Sequence, residues 1–142
     1  MNSKLRGYIG DYIMTKESLS IGIERIKKVE GFDKVEFIIL YGSAARGLMR
    51  ESSDIDLCIY YDAPPEEASR FRLKVLSELF DDKYDVQIFQ QLPLYVRRDV
   101  LKGEPVYCKD TVFLYEVAIR TIRDFEEYKH RFYDYIGEGV IA

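Results

Sequence analysis

A chain of 142 residues can bury one hydrophobic core, and its 47% apolar and 32% charged content is that of a folded globular protein and excludes a disordered tail. A net charge of −4 argues against a protein that grips extended nucleic acid, because that affinity comes from clustered Lys and Arg. The single His and the two distant cysteines, Cys58 and Cys108, exclude a zinc cage and read as free thiols, so any metal here is a hard cation held by oxygen.

No apolar run approaches the ~20 residues that cross a bilayer. Met1–Arg6 is not followed by the apolar core of a signal peptide, so a cytoplasmic location is expected. Without repeats, low-complexity tracts or linkers, residues 1–142 read as a single domain. In chain order, Leu19, Ile21, Ile23, Ile26 and Val29 recur at helical spacing between Lys16 and Glu30, and Gly31 is expected to stop that helix. Lys34–Tyr41 (KVEFIILY) is a buried strand ended by Gly42-Ser43, and Ala44-Ala45-Arg46 starts a short helix. Ile55–Tyr61 is a second strand, closed by Pro64-Pro65. A helix over 65–80 carries the stripe Ala68, Phe71, Val75, Leu76 and Leu79. Tyr84–Phe89 is a third strand, Leu94–Leu101 a short helix ended by Gly103, and Pro105–Tyr107 an edge strand, where proline is tolerated. A long helix over 111–136 is expected to turn Leu114, Ala118, Ile122, Phe125 and Phe132 inward. The order describes a sheet covered by helices.

The chemistry is concentrated in Gly42-Ser43 and, ten residues on, Asp54-x-Asp56. Residues two apart on a strand share a face, so Asp54 and Asp56 stand side by side and repel unless solvated or bridged by a divalent cation. The glycine permits a tight turn, and a helix opening at Ser43 offers free N–H groups to phosphate oxygens. Arg46 falls on the same face of that first turn and could steady a triphosphate. Asp85 opens the third strand. If that strand lies beside the second, its carboxylate faces Asp54 and Asp56, and three carboxylates can hold two Mg²⁺ ions for in-line phosphoryl transfer. A lone DxD is usually a turn or a solvated edge; the spacing and the third aspartate make this one informative. Other phosphate-binding signatures, GxxxxGK[ST] and GxGxxG, are absent.

Gly42-Ser43-Ala44-Ala45-Arg46-Gly47, with Ser53-Asp54-Ile55-Asp56-Leu57, closely resembles the minimal nucleotidyltransferase (MNT) family of the DNA polymerase beta-like superfamily. The resemblance implies an α/β (α+β) fold, a small mixed sheet flanked by helices in a palm-like arrangement with a long C-terminal helix. It implies Gly42, Ser43 and Arg46 on the nucleotide, and Asp54, Asp56 and Asp85 as catalytic residues on Mg²⁺, two ions being expected, with ATP as substrate. Many members are antitoxins paired with a HEPN-domain ribonuclease toxin, so the resemblance also implies transfer of AMP to a toxin tyrosine. Two alternatives stay open: a small-molecule hydroxyl as acceptor, or neutralisation by nucleotide-dependent binding alone. Val112, Tyr115, Ile119, Tyr128, Tyr133 and Tyr135, outside the expected core face of the last helix, either pack on the sheet or form a protein interface, in an oligomer or a complex. His130 reads as a surface residue, and Arg97-Arg98 as a solvated helix face.

Overall fold

The computed structural model describes residues 16–42 and 54–141. Ser43, Arg46 and the short helix expected at 44–46 lie outside the described residues. Helix α1 covers residues 16–27. A single 3-10 turn, Phe32–Lys34, leads into β1 (Val35–Tyr41), followed by β2 (Ile55–Tyr61), α2 (Pro65–Leu79), β3 (Tyr84–Ile88), α3 (Leu94–Val100), β4 (Glu104–Cys108) and α4 (Thr111–Ile141). The sheet order is β3-β2-β1-β4. Strand β1 runs antiparallel to both β2 and β4, whereas β2 and β3 are parallel. A parallel pair needs a crossover, and α2 provides it. The expected mixed sheet flanked by helices is what forms. Among the described residues no helix is long and apolar enough to cross a membrane.

Both faces of the sheet are covered, which is why β1 reads as a continuous apolar run. On one face Ile38, Leu40, Leu57, Ile59, Val86 and Ile88 pack against Ile23 and Ile26 of α1 and Ala68, Phe71, Val75 and Leu79 of α2. On the other, Phe37, Ile39, Cys58 and Phe89 pack against Val100 of α3 and Val117 of α4. The alternation that places Leu57 and Ile59 under α2 sends Asp56, Cys58 and Tyr60 to the α3 and α4 side.

Helix α2 starts at Pro65 with Glu66 and Glu67 in its first turn, where fixed φ and negative charge suit the helix N-terminus. It ends on Phe80, in the left-handed conformation at φ 48° with its N–H bonded to the Leu76 carbonyl. A side chain there is strained, and the ring is 91% exposed, so it returns little packing. Phe80→Gly is therefore expected to stabilise the protein by about 0.5–1 kcal/mol, read as a higher urea midpoint with unchanged slope.

Four sequence expectations change. Helix α1 ends at residue 27, and Gly31, at φ 95°, serves the turn into the 3-10 segment. Ile21 is exposed, whereas Ile23 and Ile26 are buried. Gly103 answers a tertiary demand: a Cβ there would lie 2.2 Å from the Leu40 carbonyl oxygen, because the turn before β4 presses on β1. Helix α4 runs five residues beyond the expected 136, to Ile141, and Asp110 caps its start by accepting the Val112 N–H at 3.0 Å. Its inner face is centred on Val117 and Thr121, the Thr121 hydroxyl donating to the Val117 carbonyl at 2.8 Å. Leu114, Ala118 and Phe125 are half-buried as expected, but Ile122 and Phe132 are exposed. Arg98 is not a free solvated head; its guanidinium lies 4.4 Å from the Phe125 ring centre.

Candidate active site

The sheet brings three of the expected residues to one corner. Tyr41, the last residue of β1, pairs with Asp56 on β2, and Asp56 pairs in parallel register with Asp85 on β3. Adjacent strands lie about 4.8 Å apart, so the two carboxylates are neighbours on one face. The Ile55 N–H, bonded to the Lys83 carbonyl at 2.7 Å, fixes this register just before the paired aspartates. Asp54 precedes β2 and is exposed; Asp56 and Asp85 are half-buried.

Gly42 fits against this pair. Its φ is +74°, and a Cβ at that position would lie 2.2 Å from Asp56 Oδ2. The turn after β1 thus passes so close to the carboxylate that only hydrogen fits there. Gly42, Asp56 and Asp85 are brought together, with Asp54 at the rim.

The corner is electrostatically loaded. Burial first, then the Asp85 and Asp54 charges, hold the Asp56 carboxyl above the usual carboxylate range. Tyr41 is pushed up by burial, then by Cys58, Asp56 and Asp85. Cys58, deep in the sheet below Asp56, is pushed up by burial alone and stays a neutral thiol. Gln87, two residues beyond Asp85, donates its amide Nε2 to Asp85 Oδ1 at 3.0 Å. Sequence reasoning missed Tyr41 and Gln87. Both carried a signal: each shares the period-2 face of its strand with the site.

Do these residues fit a divalent cation? Among the described residues no group of three or more His, Cys, Asp or Glu side chains is placed to hold a metal ion. The donors are nonetheless all carboxylate oxygens, as a hard cation requires. Two stand in register, and their mutual repulsion is already felt at Asp56. The chemistry of the Asp56–Asp85 pair, two in-register carboxylates whose repulsion a cation would relieve, fits a hard divalent ion.

Comparison with known proteins gives the family. Residues 24–112 match the family described as Polymerase beta, Nucleotidyltransferase, and the chain belongs to that family. The match contains Gly42, Asp54, Asp56 and Asp85. A protein of Methanocaldococcus jannaschii, whose name proposes a protein adenylyltransferase, is 36% identical over 83 residues, 58% of this chain and 63% of that one. The chain thus spans less than two thirds of that relative's length. Among solved structures, a chain of a toxin–antitoxin pair with AMP-PNP superposes with a TM-score of 0.64 at 18% identity, covering 85% of this chain and 97% of its own. A chain of the tri-AMPylated Shewanella oneidensis HEPN toxin in complex with its MNT antitoxin superposes at 0.53 and 17% identity, covering 95% and 99%. At such identities the likeness is one of fold.

Proposed function

We propose that this chain transfers AMP from ATP to a hydroxyl on a partner protein, and that it is the antitoxin of a pair whose toxin is a HEPN-domain protein bearing an acceptor tyrosine. The observation that carries the reading is the register of Asp56 against Asp85 beside Gly42, within a nucleotidyltransferase family match. Asp54, Asp56 and Asp85 would hold Mg²⁺, two ions in the full site; when bound, Mg²⁺ neutralises phosphate charge and stabilises the leaving oxygen. Gly42 leaves room for the nucleotide phosphates, with Ser43 and Arg46 as their further partners. Asp85 is the residue assigned to accept the proton from the attacking hydroxyl, its register beside Asp56 supporting that role. The acceptor oxygen bonds to the α-phosphorus, the bond to the bridging oxygen breaks, and pyrophosphate leaves.

Two observations favour a protein acceptor. The name of the M. jannaschii relative proposes protein adenylylation. One face of α4 is also uncovered: Val112, Tyr115, Ile119 and Tyr133 are all more than half exposed, as are Tyr128 and Tyr135 elsewhere on the helix. Tyrosine in such a setting suits a protein interface. Tyr115→Ala with Ile119→Ala is expected to weaken a complex with the HEPN protein by about 30-fold or more, the effect of losing a hot-spot pair. The melting temperature should hardly move, since both side chains are largely solvated.

The test is incubation with Mg²⁺ and α-labelled ATP, with and without a HEPN-domain protein taken from the same genome, in parallel with Asp54→Ala/Asp56→Ala. Label on the HEPN protein with wild type alone supports the reading. A stable complex in which both proteins neutralise the toxin and neither transfers label would replace it with neutralisation by binding.

A further inference from the structure

Gln87 and Asp85 leave the same face of β3, and the register that sets Asp85 against Asp56 sets Gln87 against Cys58. Beside Gln87, then, is the buried Cys58 side chain. The Gln87 amide donates to Asp85 Oδ1 at 3.0 Å. Repulsion between the Asp56 and Asp85 carboxylates favours turning one away from the other, and a donor on one oxygen of Asp85 resists that rotation. A neutral amide does so without forming an ion pair that would compete with a cation.

We propose that Gln87 is a positioning residue, whose amide fixes the Asp85 carboxylate so that its second oxygen is kept for the cation and the acceptor proton. The inference rests on the reading of Asp85 as the third carboxylate of the site. No contact between Gln87 and nucleotide or acceptor is needed.

The test uses Gln87→Met, which keeps length and removes the donor, Gln87→Leu as a second apolar variant, Asp85→Asn, and Gln87→Met/Asp85→Asn. Mn²⁺ alone is titrated into each protein and free ion counted by electron paramagnetic resonance; melting temperature is measured in EDTA. Gln87→Met is expected to weaken Mn²⁺ binding about 10- to 100-fold, as for loss of an outer-shell partner, with the EDTA melting temperature held within a few degrees. In the Asp85→Asn background the same substitution should add nothing, because its target is gone. Four results overturn the inference. Wild-type Mn²⁺ affinity in Gln87→Met beside a loss in Asp85→Asn refutes it and leaves the site reading intact. An equal further loss in the double variant shows that Gln87 acts elsewhere. A large fall in the EDTA melting temperature of both apolar variants makes the residue structural. Wild-type affinity in Asp85→Asn removes Asp85 from the site and the inference with it.

Discussion

Asp56→Asn is expected to lower nucleotidyl transfer on the order of 10³-fold or more while making the cation-free protein more stable. The loss exceeds that of a single oxyanion donor, because a carboxylate that binds cation is removed outright. The gain follows from charge. Asp56 is half-buried beside Asp85 and Asp54, and its carboxyl is held above its ordinary value of 3.8, so its ionised form opposes folding. That opposition is absent below the unfolded-state value, where both states bind the proton. It grows as pH rises through the folded-state value. The difference in melting temperature between Asp56→Asn and wild type in EDTA is thus expected to be a few degrees at pH 7. This corresponds to about 1 kcal/mol or less for a part-exposed group, and it should vanish near about pH 3. Mg²⁺ should raise the wild-type melting temperature and leave the variant's nearly unmoved. A variant less stable than wild type in EDTA at pH 7 would contradict the electrostatic account.

Gly42→Ala is expected to cost about 2–4 kcal/mol of stability and to abolish transfer. The strained positive φ contributes about 1–2 kcal/mol. The remainder comes from the collision of the new Cβ with Asp56 Oδ2, 2.2 Å away before relaxation. The carboxylate cannot yield without leaving its register with Asp85, so catalysis is lost even where the protein folds. The diagnostic is a cycle with Asp56→Ala. Removing the carboxylate should return the collision part of the stability loss, leaving only the backbone part. Fully additive denaturation midpoints would show that Gly42 matters for its backbone alone.

The sheet was largely readable from sequence because its strands are short apolar runs bounded by turn residues. Ile55–Tyr61 forms over the expected residues, and β1 begins one residue later than read. The meeting of Asp85 with Asp56 followed from strand order once β2 and β3 proved to be neighbours. Helix α4 was harder, because apolar and aromatic residues surround it and periodicity alone cannot choose a face. The packing of α3 and the sheet chose Val117 and Thr121 and left Ile122 in solvent. Gly103 was read as a helix stop because a carbonyl from a distant strand leaves no local trace. Tyr41 and Gln87 were passed over because, as uncharged residues inside strands, they matter only through what the neighbouring strand sets beside them.

The carboxylate pair straddles the one parallel pairing among the described strands, with all of α2 between its members. Parallel pairing across a crossover is a slow, non-local step in folding. Here the step also sets like charges side by side, a cost of about 1 kcal/mol or less that burial of Leu57, Ile59, Val86 and Ile88 outweighs. A divalent cation bound across the pair is therefore expected to slow the parting of β2 from β3, an edge already closed by its apolar core.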